Sequence, residues 1–168
     1  MSKILYFAYG SNLLPTWLNY RVHSASPVSN ISLNNWKLCF HKCSDDGSAK
    51  CNIIETDLND DVVHGTIYEF NSDEKVKLDR AEGGYKHISM KFDEFDNVLV
   101  YLAKKERIDN NLPVYTWYHD IVIAGAQFHD LPITYIEYIK SFKAINDPNT
   151  DRDKEKRSIA WPKKNGSE

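Results

Sequence analysis

Hydrophobic and polar positions divide the chain into two regimes. Up to about residue 103 the apolar residues recur with a period of two or in short blocks, and beyond it they recur at helical spacing. The block Ile4 to Tyr9 predicts a buried strand, ended by Gly10, Ser11 and Asn12. Pro15 suits the first turn of a short helical or irregular segment through Leu18. Residues 23–30, rich in Ser, Pro and Asn, predict a loop. Trp36, Leu38 and Phe40 alternate with Lys37, Cys39 and His41, the pattern of a strand, and after the turn signal Asp45–Ser48 a second strand is expected over Cys51–Glu55. Alternation returns from Val63 to Phe70, with Gly65, Ile67 and Glu69 opposite Thr66, Tyr68 and Phe70. Asn71, three residues before Glu74, predicts a side-chain-capped helix over 72–81 that buries Val76, Leu78 or Ala81 and ends at Gly83–Gly84. Residues 85–92 and 98–103 predict a hairpin across Glu94–Asn97.

In the last third, Tyr115, Tyr118, Ile121, Val122 and Gly125 predict an amphipathic helix over 114–128, in which Ala124-Gly125-Ala126 lets a neighbouring backbone come close. His129–Pro132 breaks it, and a second helix follows with Tyr135, Ile136, Ile139 and Phe142 on one face. Residues 146–168 are mostly charged or polar and predict a solvated tail, with Trp161-Pro162 the part suited to dock back. Strands first and helices last define an α+β domain over 1–145, built on a largely antiparallel or mixed sheet, open or closed, followed by the tail.

Composition excludes more than it selects. A chain of 168 residues, 42% hydrophobic and 27% charged, fits one globular domain. A net charge of −3 leaves no electrostatic footprint for nucleic acid or an anionic membrane. No apolar run approaches the ~20 residues of a membrane span, and the N-terminal apolar segment is too short for a signal peptide. Cys39, Cys43 and Cys51 form no CxxC or zinc-like spacing and predict reduced thiols in a cytoplasmic protein, with Cys43 a minor candidate for reactivity. Asn30-Ile31-Ser32 and Asn165-Gly166-Ser167 match the glycosylation pattern, which carries no weight without secretion. The six histidines show no paired ligand spacing, and Ser11 lacks the Gly-x-Ser-x-Gly elbow of a nucleophilic serine.

Two stretches carry the candidate chemistry. Gly10-Ser11-Asn12 ends the first strand; it is either an ordinary turn or a place where successive amide N–H groups face one anion. Glu82, at the end of the predicted helix, is either a surface glutamate or a carboxylate whose proton affinity is raised by the helix C-terminus and burial, as a general base requires.

Taken with a third stretch, these resemble the γ-glutamylcyclotransferases of the AIG2-like superfamily. Tyr6-Phe7-Ala8-Tyr9-Gly10-Ser11-Asn12-Leu13-Leu14 resembles the family's YGSN-type substrate loop, Leu78–Tyr85 its helix ending in a catalytic Glu-Gly, and Tyr118–Ala126 with Leu131-Pro132 and Tyr135 its closing helix pair. The resemblance implies a small six-stranded β-barrel with flanking helices. It implies a cofactor-free, metal-free lyase reaction in which γ-glutamyl amino acids or peptides, glutathione-related compounds among them, cyclise to 5-oxoproline. It implies Glu82 as the proton acceptor and Tyr9, Gly10, Ser11, Asn12, Leu13, Leu14 and Tyr118 as substrate-binding residues. Gly10–Leu13 amides would hold the α-carboxylate or the oxyanion, and Ser44–Lys50 and Ile108–Pro113 would select the leaving amine. The partner implied is a small γ-glutamyl substrate, with no nucleic acid and no membrane; a homodimer is a candidate assembly. A cyclotransferase for γ-glutamyl amines, isopeptides or a γ-glutamyl biosynthetic intermediate is the alternative, and a non-catalytic small-acid or protein-binding member the second alternative.

Overall fold

The computed structural model describes residues 2–166. Strand β1 (Lys3–Ala8) runs into a one-turn 3-10 segment, Ser11–Leu13, and the short helix α1 (Pro15–Asn19). Strands β2 (Ser26–Asn34), β3 (Trp36–Cys43), β4 (Ala49–Glu55) and β5 (Val62–Asn71) follow. A second 3-10 turn, Ser72–Glu74, leads into helix α2 (Lys75–Ala81), and then come β6 (Tyr85–Phe92) and β7 (Phe95–Ala103). The C-terminal part holds β8 (Val114–Tyr115), α3 (Thr116–Phe128), α4 (Ile133–Lys140), β9 (Ala144–Ile145) and α5 (Thr150–Ala160).

The main sheet is five-stranded, in the order β2-β5-β1-β7-β6. It is mixed, because β1 runs antiparallel to β5 but parallel to β7. Strands β3 and β4 form a separate antiparallel hairpin. The fold is therefore α+β, as expected, but among the described residues the ladders do not close into a six-stranded barrel. Where β4 faces β7, a side chain does the joining: Asn52 Oδ1 accepts the Ala103 N–H at 2.9 Å.

Burial explains where the alternation holds. Strand β5 is flanked by β1 and β2 and covered on both faces, so Thr66, Ile67, Tyr68 and Phe70 are all buried. Strand β2 falls on residues expected as a loop. It is an edge strand, half-exposed, and Pro27, which lacks an N–H, sits at a bulge where an edge tolerates it. The hairpin turn sits at Asp93 (φ 43°), a residue type that accepts left-handed backbone, so β7 begins earlier than its apolar run. Asn71 does not cap α2 with its side chain; its own N–H donates to Ser24 Oγ. Leu78 is the buried residue of α2, while Val76 is exposed.

Residues 146–166 are not a solvated tail. Helix α5 begins at an Asn149 side-chain cap and packs on α1 and α3. Thr16 Oγ1 donates to the Ala160 carbonyl at 2.5 Å, Arg157 pairs with Asp120 at 2.8 Å, and Ala160 is buried. Asp147, Arg152, Asp153 and Arg157, among the charges that suggested solvation, are held in ion pairs, while Trp161 stays 44% exposed. Ser167, the last residue of the second glycosylation pattern, lies outside the described residues. No helix among the described residues is long and apolar enough to cross a membrane.

Candidate active site

A cavity of about 320 Å³ opens where the end of β1, the end of α2, the β3–β4 hairpin and helices α3 and α5 meet. Tyr6, Tyr9, Gly10, Ser11, Asn12, Glu82 and Tyr118 all line it. The two stretches picked out in the sequence, far apart along the chain, thus share one site. Asn12 Nδ2 donates to Glu82 Oε1 at 2.7 Å and to Tyr6 Oη at 2.9 Å, and Arg21 Nη1 donates to Asn12 Oδ1 at 3.4 Å.

The turn is held from behind. Gly125 on α3 is buried, and a Cβ there would lie 2.5 Å from Leu13 Cβ and 2.6 Å from Leu14 N. Only a glycine lets the helix seat the turn this closely. Gly10 is closely packed as well, since a Cβ there would sit 3.0 Å from Cys51 Cβ.

Leu13 and Leu14 do not line the cavity. Both are buried in the core, and their N–H groups are spent inside the turn, donating to the carbonyls of Gly10 and Ser11. The amides of Gly10, Ser11 and Asn12 lie outside these turn hydrogen bonds, which narrows the donor set expected over Gly10–Leu13.

Glu82 ends α2, its N–H bonded to the Leu78 carbonyl. Burial raises its proton affinity, opposed by the Arg21 charge, the Asn12 hydrogen bond and the Lys42 charge. Gly84, two residues on, has φ +85°, and Lys42 Cε would be 2.8 Å from a Cβ there. Asp79 takes no part: it pairs with Lys75 at 2.8 Å and accepts from Tyr101 Oη.

Three tyrosines fix the wall. Tyr9 Oη donates to the Tyr101 carbonyl and Tyr85 Oη to the Cys51 carbonyl at 2.6 Å. Tyr118 Oη instead accepts the Cys51 N–H at 2.9 Å, so its own hydrogen is free of any oxygen or nitrogen acceptor among the described residues. Burial holds the Tyr118 phenol well above its usual range, which keeps it a donor at neutral pH. Cys51 is pushed up to about 12 by burial and stays a thiol. Cys43 is half-buried and reduced, and is not among the lining residues. Among the described residues no group of three or more His, Cys, Asp or Glu side chains could hold a metal ion.

The sequence did not bring out the cations. Arg21, Lys42, Lys50, Arg152 and Lys156 line the cavity, with Asp45 and Asp46 as the acids besides Glu82. Of the two loops expected to select the leaving amine, Ser44–Lys50 contributes lining residues and Ile108–Pro113 does not. The latter supports the hairpin, its Pro113 carbonyl accepting the Ala49 N–H. Arg152 and Lys156 come from α5, in the segment expected to be solvated.

The fold is shared with solved γ-glutamyl cyclotransferase structures. The chain is similar to the crystal structure of an uncharacterized protein from Homo sapiens, with 26% identity and a TM-score of 0.72 over 86% of this chain and 90% of that one. A γ-glutamyl cyclotransferase superposes with a TM-score of 0.74 at 24% identity, covering 92% of this chain and 99% of the other. A yeast γ-glutamyl cyclotransferase specific to glutathione matches over 95% and 96% of the two chains with a TM-score of 0.51 and 12% identity. Neither a family model nor a curated protein matches the sequence.

Proposed function

We propose that this chain is a γ-glutamylcyclotransferase, converting γ-glutamyl amino acids or peptides to 5-oxoproline with release of the amine. The observation that carries the reading is the Glu82 carboxylate facing the Gly10–Asn12 turn within one cavity, tied to it through Asn12 at 2.7 Å.

The residues present suit this reaction because the substrate brings its own nucleophile. Its α-amino nitrogen attacks its γ-carbonyl carbon, a C–N bond forms in the ring, and the bond to the leaving nitrogen breaks. Glu82 takes a proton from the α-ammonium, since only the free amine attacks, and returns it to the departing nitrogen. The ring nitrogen keeps one of its three hydrogens, and the other two leave with the amine as its ammonium. A carboxylate with raised proton affinity is matched to such a transfer near neutral pH. Folding the glutamyl chain into an attack geometry is worth up to roughly 7–11 kcal/mol in favourable intramolecular cases. The amides of Gly10, Ser11 and Asn12, with the Tyr118 hydroxyl whose side-chain partner is only the weakly accepting Cys51 thiol, would hold the glutamyl carboxylate and the developing oxyanion.

The test is 5-oxoproline release from a panel of γ-glutamyl dipeptides and γ-glutamyl amines. Glu82→Gln is expected to abolish turnover with binding largely kept. Undiminished turnover in that variant removes Glu82 as the base, and no turnover by the wild type on any compound replaces the enzyme with a non-catalytic binder.

A further inference from the structure

The charges around the cavity are not all spoken for. Lys50 is paired with Asp46 at 2.9 Å and Arg152 with Asp147 at 2.6 Å. Arg21 is hydrogen-bonded to Asn12 and lies over the Trp17 ring at 4.7 Å. Lys156 is half-buried, so water reaches it. Lys42 differs from all of these. It is 5% exposed, lines the cavity, and has no ion-pair or hydrogen-bond acceptor among the described residues. Its ammonium lies 4.7 Å from the centre of the Tyr85 ring.

Its placement is built by the backbone. The β3–β4 register shifts between Phe40 and Lys42, a bulge that leaves Phe40, His41 and Lys42 all buried instead of alternating. A bulge of this kind re-aims a side chain. Gly84 gives the lysine stem its room, since any Cβ there would meet Lys42 Cε at 2.8 Å. The lysine stem is buried while its ammonium reaches the cavity with no protein anion beside it, so an anion on a bound ligand would be its direct counter-charge.

Resting on the cyclotransferase reading, we infer that Lys42 is a specificity-determining residue that pairs with an anionic group on the leaving amine. The γ-glutamyl end carries one ammonium, which would face Glu82, and one carboxylate, which the proposed mechanism gives to the turn amides and the Tyr118 hydroxyl. Lys42 then calls for a second negative charge on the other side of the scissile bond. An α-amino acid has one two bonds from its nitrogen; a simple alkylamine has none.

The experiment compares γ-glutamyl-L-alanine with γ-glutamyl-ethylamide, which differ in that one carboxylate. Wild type is expected to favour the alanine compound in kcat/KM by about 10- to 100-fold, the range a charge-assisted hydrogen bond carries, chiefly through KM. Lys42→Met, checked for folding by its thermal melt, is expected to bring the ratio to about threefold or less. A wild-type ratio near one overturns the assignment. So does an equal loss on both substrates with the ratio retained, the result for a lysine that only offsets Glu82. If Lys42→Met does not fold, the wild-type ratio decides. Calorimetric binding of both compounds to Glu82→Gln, with and without Lys42→Met, separates the two ideas. A carboxylate-dependent affinity that needs Lys42, in a protein whose wild type releases no 5-oxoproline, upholds the lysine and removes the cyclotransferase.

Discussion

Asn12 Nδ2 stands 2.7 Å from Glu82 Oε1, and this one hydrogen bond joins the turn after β1 to the end of α2. Asn12 is buried, and its amide serves Tyr6 and Glu82 through the nitrogen and Arg21 through the oxygen. It sets both the position of the carboxylate and its readiness to hold a charge.

Asn12→Ala removes a donor to the ionised carboxylate, so the Glu82 proton affinity rises further. The acid limb of kcat/KM is expected to move to higher pH, with kcat/KM at neutral pH falling roughly 10- to 100-fold, the range for a hydrogen bond to a charged group. A pH–rate profile checks both. An unmoved limb would show that Glu82 does not titrate in that profile.

Glu82 itself is expected to cost stability. Its carboxyl has the ordinary value of 4.5 when unfolded and a higher one when buried in the fold. Between those two points the folded state holds a proton that the unfolded chain has lost, so stability falls as pH rises through the window. Above the folded value the penalty is complete. Glu82→Gln should therefore melt higher than wild type at neutral pH, by about 2–4 °C for each kcal/mol recovered, and the two curves should converge as pH falls toward 4.5. The same variant is the inactive one, so the measurement sets activity against stability at a single residue.

The site was legible to the extent that its parts are local. Gly10-Ser11-Asn12 after an apolar block, and Glu82 before two glycines, are visible in short windows of sequence. The Ala124-Gly125-Ala126 run also announced a close approach, and Gly125 makes one against Leu13 and Leu14. Those two leucines resembled ligand-binding positions because they adjoin the turn, but their side chains point to core. Closure of the sheet was not legible, since it depends on whether β4 meets β7 by a ladder or by the Asn52 side chain. The cations were hidden for a different reason. Arg21, Lys42, Lys50 and Arg152 come from separate elements, and nothing in the charge pattern of residues 146–168 distinguishes a docked helix from a solvated one.

Gly125→Ala tests the seat of the turn. In an ordinary helix interior this change stabilises by about 1 kcal/mol. Here the new methyl would meet Leu13 Cβ at 2.5 Å and backbone of Leu14 at 2.6 Å, and neither is the free end of a flexible side chain. The sign should reverse, to a loss of about 1–3 kcal/mol in denaturant unfolding, with a drop in activity from the displaced turn. A stabilised variant would mean that helix and turn separate without cost.

Asp147 tests the claim that α5 belongs to the site. Its carboxylate is fully buried and accepts from Arg152 Nε at 2.7 Å, Arg152 Nη2 at 2.6 Å, Trp117 Nε1 at 2.9 Å and the Asn149 N–H at 2.8 Å. Arg152 and Trp117 both line the cavity, so one carboxylate clips the helix and shapes the wall. Asp147→Ala leaves a guanidinium and an indole N–H unpaired. Breaking a buried pair costs roughly 3–5 kcal/mol, and the loss here should fall at or below the lower end because the Arg152 side chain is 24% exposed. The Arg152 hydrogen bonds hold the Asp147 carboxyl down at about 2, below its ordinary 3.8. Its contribution is therefore present above pH 3.8 and lost as pH falls through about 2. Urea midpoints of wild type and Asp147→Ala should differ fully at neutral pH and draw together across that acid window. Turnover should fall with the clip, because α5 then no longer holds Arg152 and Lys156 against the cavity; full activity in a folded Asp147→Ala protein would place the helix outside the catalytic unit.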